Sequence, residues 1–202
     1  MLRPLLFCAS FQRFGVALGL ATLAACSSGS GPGNDAVANA TSQNEQKINT
    51  ADVTAKQEAD AQFLVKATSN ALLEAELGKL LQARGTTPSA RSYGARLVPS
   101  RLELLAALRA LAEAKKLALP PALGEDEQAA YHEASGNVGL PLDKQAVALL
   151  AKAQKQDENA FDDMKDDAYD GDIRGFAAKY LPAVQEQRAA TKELAKALDD
   201  LP

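Results

Sequence analysis

The chain has one histidine, two cysteines, two methionines and no tryptophan in 202 residues, and aromatics make up only 5% of it. Each scarcity removes a class of chemistry. His132, beside Tyr131 and Glu133, has no Cys or Ser partner next to it, which argues against a Ser–His–acid or Cys–His arrangement. The N-terminal apolar run, Phe14 to Ala25, spans about 12 residues, short of the roughly 20 a membrane-crossing helix needs. No positive excess exists either, because the formal charge is −4, which argues against nucleic acid or an anionic lipid surface as a partner. Gly29, Gly31 and Gly33 precede no strand and so cradle no phosphate.

What is present begins at the N-terminus. Arg3 and Arg13 supply positive charge, the apolar run follows, and Leu23-Ala24-Ala25-Cys26 closes it with small residues. That tetrapeptide resembles the bacterial lipobox, which implies cleavage before Cys26 and a diacylglycerol on its thiol; the alternative is an ordinary secretory signal with a stray cysteine. Ser27 stands where an Asp would resemble an inner-membrane retention signal, so the resemblance implies the periplasmic face of the outer membrane of a diderm cell. Loss of residues 1–25 removes Arg3 and Arg13 and no acids, leaving 20 basic against 26 acidic residues and a net charge of −6. Cys8 leaves with the signal and Cys26 carries lipid, so no free thiol remains for a disulfide, a metal or a nucleophile. Anchorage rests on acyl chains, of which two or more hold stably.

Residues 26–50 read as a lipidated flexible tether. Positions 27–50 have no aromatic and only Val37 and Ile48 as β-branched aliphatics, too little to offset ordering entropy. Residues 51–202 read as one all-α domain, rich in Ala, Leu, Lys, Glu and Gln and without period-two alternation. The first long helix starts at about Ala51 or Gln57 and ends at Arg84 before Gly85. Thr87 caps the second, with Pro88 at its first position, and Pro120-Pro121 lie beyond its end near Leu117. A crossover over 118–141 holds one short helix, Glu125 to Ala134. The third long helix runs from about Leu142 to Ala168, and the fourth from an N-cap at Asp172 to Leu198. Two short turns and one long crossover give a ferritin-like four-helix bundle. Pro99 and Pro182 fall inside helices and are expected to kink them.

Apolar seams at helical spacing are each broken near the middle by one polar residue: Glu74, Arg101, Gln154 and Gln187. Gln154 and Gln187 are about equally far from the turn joining their helices, and Glu74 and Arg101 differ in height by ~4–5 Å at 1.5 Å rise per residue. The four are expected to form one buried layer, with Glu74 and Arg101 as an ion pair and the glutamines bridging. The alternative is that one or two seams are misphased and their residues solvated.

The order and spacing of several soft motifs now carry a resemblance. Phe63-Leu64 with Ala67, Leu73-Glu74-Ala75-Glu76-Leu77-Gly78-Lys79-Leu80, Pro120, Ser135-Gly136, Leu142-Asp143, Phe176-Ala177 and Leu181-Pro182 together resemble the ferritin-like "domain of unknown function" family numbered four-one-four-two. The family is common in secreted and outer-membrane bacterial proteins, and the resemblance covers Asp60 to Leu198. It implies a Glu on the first long helix and a His on each of the others. Here the Glu is Glu74, but the His positions read Arg101, Gln154 and Gln187, and the Asp before the first His is Ser100. The implication is a degenerate family site turned into an ion-paired layer with neither metal nor cofactor, since Arg101 puts a fixed positive charge where a cation would sit.

Other features favour plainer readings. His132 reads as a surface residue. Asp166 to Asp172 invites a calcium loop, but Ala168 and Ala177 stand where ligands are needed. Asp157, Glu158, Asp162, Asp163, Asp166 and Asp167 read as a solvated acidic face. The chain is therefore expected to be a non-enzymatic envelope lipoprotein that meets the membrane through Cys26 and works through an envelope protein partner. Two alternatives stay open: a metal-binding or redox protein with a site around Glu74, Asp157 and Glu158, and a binder of small apolar ligands between the proline-bearing helices.

Overall fold

Helix-favouring residues fill almost every stretch after residue 55, so caps and turns, more than propensity, set where one helix stops and the next begins. The structure, a computed structural model, describes residues 35–49 and 55–201. The signal segment 1–25, Cys26 and the remaining residues up to 34 lie outside the described residues, as do 50–54. Six helices follow in order: α1 Ala36–Asn49, α2 Ala55–Arg84, α3 Pro88–Lys115, α4 Glu125–Ser135, α5 Leu140–Asp167 and α6 Gly171–Asp199. The four long ones, α2, α3, α5 and α6, form an all-α bundle of two hairpins joined by a crossover over 116–139.

Thr87 has an extended backbone, and its Oγ1 accepts from Ala90 N at 3.1 Å while Pro88 opens α3. At the other hairpin the cap is Asp170, not Asp172. Asp170 is the last extended residue, and its carboxylate takes the amides of Asp172 at 2.8 Å and Ile173 at 3.3 Å. Helix α3 ends on Lys116, whose φ of 56° is left-handed. Both α3 and α6 continue through their prolines, Pro99 and Pro182.

Each turn is pinned by a buried aspartate from the opposite hairpin. Asp143 accepts the Thr86 and Thr87 amides at 2.9 and 2.8 Å and the Thr87 hydroxyl at 2.9 Å. Asp60 accepts the Tyr169 and Asp170 amides at 3.0 and 2.8 Å. Arg91 and Arg174, each four residues past a cap, donate to the carbonyls of their own turns. The devices repeat along the chain: Asp60 and Asp143, Glu74 and Asp157, Thr87 and Asp170, Arg91 and Arg174, Pro99 and Pro182 are all offset by the same 83 residues. The two hairpins are thus copies of one design.

The hairpins are packed along their lengths, α2 also packs on α5, and the α3–α6 seam is the sparsest. At Gly94 a Cβ would lie 2.4 Å from the Gly78 carbonyl oxygen and 2.8 Å from Gln82 N, so α2 and α3 meet there backbone to backbone. Two apolar clusters fill the bundle. One contains Phe63, Leu64, Leu104, Leu108, Phe161 and Ile173, with Phe63 edge-on to Phe161 at 5.0 Å. The other contains Leu77, Leu81, Leu97, Leu142, Leu150 and Leu198. On α3, α5 and α6 the changeover between clusters falls at a polar position, and on α2 it falls between Asn70 and Glu74.

Within the stretch expected as tether, 26–50, residues Ala36–Asn49 form α1, while 26–34 and 50 lie outside the described residues. Ala40, Asn44 and Ile48 recur every fourth residue, and all three are buried as α1 packs on α2. Asn44 donates to Ala118 O at 3.0 Å and accepts from Ala118 N at 2.7 Å, and Lys47 Nζ donates to the carbonyl of Lys116 just past α3. So few contacts suffice because partners outside the segment supply the surface it lacks.

Candidate functional site

Between the apolar clusters lies a polar layer drawn from all four long helices. Glu74 and Asn70 come from α2, Tyr93 and Arg101 from α3, Gln154 and Asp157 from α5, and Thr191 from α6. Glu74 and Gln154 are 0% exposed, Arg101 1% and Asp157 2%. Arg101 Nη1 lies 3.5 Å from Glu74 Oε2. Gln154 Nε2 donates to the same Glu74 oxygen at 3.0 Å and lies 3.1 Å from the Tyr93 hydroxyl. The Thr191 hydroxyl is 2.6 Å from Gln154 Oε1 and also bonds the Tyr93 hydroxyl. Asn70 Nδ2 donates to Asp157 Oδ1 at 2.6 Å.

One cation therefore faces two buried acids. Burial pushes Asp157 well above the usual carboxylate range, and the neighbouring Glu74 charge pushes it further; Asn70 and Arg101 only partly oppose this. Burial also raises Glu74, against the pull of Arg101 and of the amide of Gln154. The two carboxyl groups lie within hydrogen-bonding reach of each other. Their outer oxygens, Glu74 Oε1 and Asp157 Oδ2, have no other partner. Two bare carboxylates cannot bond; a proton on Asp157, the acid pushed up further, would let that carboxyl donate to Glu74 and leave the Glu74 charge for Arg101 to balance. The layer is then neutral overall, the condition under which charges are tolerated in a dry interior.

Of the four residues expected to form the layer, Glu74, Arg101 and Gln154 meet. Gln187 does not join them: it is half-buried on the α3–α6 seam, where its amide donates to Ser100 Oγ. Thr191, one turn further along α6, takes the inner place opposite Gln154. The layer members passed over by the one-polar-residue-per-seam rule are Asn70, Tyr93, Asp157 and Thr191. The 83-residue repeat is the signal that pairs Asp157 with Glu74.

The remaining candidates are occupied otherwise. His132 is exposed on α4, with only a ring contact to Tyr131. In the Asp166–Asp172 turn, Asp170 and Asp172 pair with Lys115 Nζ at 2.6 and 2.7 Å. Glu158 pairs with Arg188. Among the described residues no group of three or more His, Cys, Asp or Glu is placed to hold a metal. The layer's own donors do not fit a divalent cation: no imidazole is near, and the Arg101 guanidinium lies 3.5 Å from the Glu74 carboxylate. A groove of about 290 Å³, lined by Tyr93, Arg96, Ser100, Glu186 and Gln187 among others, opens along the sparse α3–α6 seam. None of the described helices is long and apolar enough to cross a membrane.

A search of curated proteins and a search of solved structures each find no match to this chain. A family model described as "Domain of unknown function (DUF4142)" matches residues 44–194, taking in the last turn of α1, the whole polar layer and both hairpin turns. The chain belongs to that family of domains of unknown function.

Proposed function

We propose that this protein is a non-enzymatic envelope lipoprotein, anchored to a membrane through lipidated Cys26, whose helical domain acts by contact with an envelope protein. The observation that carries this reading is the closure of the central layer. Gln154, Tyr93 and Thr191 bond one another, and Arg101 pairs with Glu74, all inside the bundle. The Leu23–Cys26 tetrapeptide supports the anchor. Labelled palmitate should enter the wild-type chain and fail to enter Cys26→Ala. Pull-down from envelopes should then enrich a specific partner with the wild type. Lack of enrichment with both wild type and Cys26→Ala would count against contact as the role.

The competing reading, a metal-binding or redox protein with a degenerate site around Glu74, draws on one observation, the adjacent Glu74 and Asp157 carboxyls. Arg101 opposes it, and Glu158, the third acid it needs, is paired with Arg188.

A further inference from the structure

A second feature adjoins the layer and shares Asn70 with it. Helices α2, α4 and α5 and the first turn of α1 enclose a cleft of about 320 Å³, near the lower end of the roughly 300–1,000 Å³ typical of small-molecule sites. Lys66 of α2 and Lys152 of α5 line it, and so do Asp126 and Glu127 from the first turn of α4. None of these four charges forms an ion pair among the described residues. Leu73 and Leu149 supply apolar wall. Ser69 also lines the cleft; it is 3% exposed, and its Oγ has no hydrogen-bond partner. A buried hydroxyl is normally satisfied, in a helix often by the carbonyl four residues back, so this one is a donor and acceptor held ready.

We propose that this cleft binds a small zwitterion of the amino-acid or short-peptide class, its carboxylate on Lys66 and Lys152, its amine on Asp126 and Glu127, with Ser69 bonding the backbone polar group between. Charges of both signs facing one cleft select for a ligand carrying both. A dicarboxylate would meet the two acids without compensation, and a diamine would meet the two lysines. The apolar wall accommodates a short side chain. This inference does not rest on the lipoprotein reading.

Calorimetric titration of the purified full chain with alanyl-alanine, glycyl-glutamate, lysine, succinate and 1,4-diaminobutane tests it. At least one of the three zwitterions should bind saturably, at least tenfold more tightly than succinate or the diamine. Lys66→Gln with Lys152→Gln should weaken that binding at least tenfold, as should Asp126→Asn with Glu127→Gln. All but the half-buried Glu127 are exposed, so unchanged melting temperatures separate lost binding from lost folding. Absence of saturable binding by all three zwitterions would overturn the proposal. Succinate binding as tightly as a zwitterion, or binding indifferent to both double variants, would overturn it equally.

Discussion

Replacing Asp157 by Asn isolates the proton assigned to the buried acid pair. With its native value raised, Asp157 holds its proton to higher pH in the folded chain than in the unfolded chain, which releases it near the ordinary aspartate value of 3.8. Between that value and the raised native one, the folded state binds more protons than the unfolded state, so wild-type stability falls as pH rises. The slope is about 1.4 kcal/mol per pH unit for each proton retained, and it vanishes below the ordinary value, where both states are protonated. Asparagine mimics the protonated acid. Its Oδ1 can keep the bond from Asn70, now 2.6 Å, and its amide can donate to Glu74 Oε1, which otherwise lacks a partner. Asp157→Asn should therefore gain on wild type by about 1.4 kcal/mol per pH unit from pH 4 upward, levelling once wild-type Asp157 ionises. Urea unfolding at half-unit steps from pH 4 to 8 measures the difference directly. A difference flat with pH would refute the proton on Asp157, and a variant less stable throughout would show that the site needs a carboxylate at 157.

Three further substitutions probe the frame around the layer. Arg101→Met should cost about 3–5 kcal/mol in denaturant unfolding, because it strands a buried carboxylate, and adding Glu74→Leu should recover part of that loss; equal losses would mean the pair is not coupled. Gly94→Ala should lower stability by about 1–3 kcal/mol, since its Cβ would meet the Gly78 carbonyl at 2.4 Å, and an unchanged melting temperature would contradict the close crossing of α2 and α3. Asn44→Ala removes both bonds to Ala118 and should raise amide hydrogen exchange across Ala36–Asn49 while leaving α2 to α6 protected. Exchange equally fast in wild type would restore the tether reading for that segment.

The long helices were legible because their ends are marked by strong local chemistry: Gly85 and Thr87-Pro88 at one turn, Asp170-Gly171 at the other, and Pro120-Pro121 in the crossover. Helix α1 was not. Its buried stripe is Ala40, Asn44 and Ile48, one of them polar, and the surface that completes it belongs to α2 and to the backbone of Ala118. Glu74, Arg101 and Gln154 stood out as polar breaks in apolar seams. Tyr93 carried no signal of its own in the sequence, and Asp157 was masked by the acids that follow it on α5. Helix α6 has polar residues one turn apart, Gln187 and Thr191, and counting heights from the turn cannot say which of them faces inward. The sparse α3–α6 seam decides it, leaving Gln187 at the groove and Thr191 inside.

Whether a guanidinium and a proton on Asp157, instead of a metal ion, neutralise the middle of this bundle is settled most directly by elemental analysis of the purified chain after exposure to iron, manganese and zinc. None of the three should be retained stoichiometrically, and Glu74→Ala should change nothing in the metal content. One equivalent of any of them, lost on Glu74→Ala, would contradict the assignment of Arg101 as the layer's only cation.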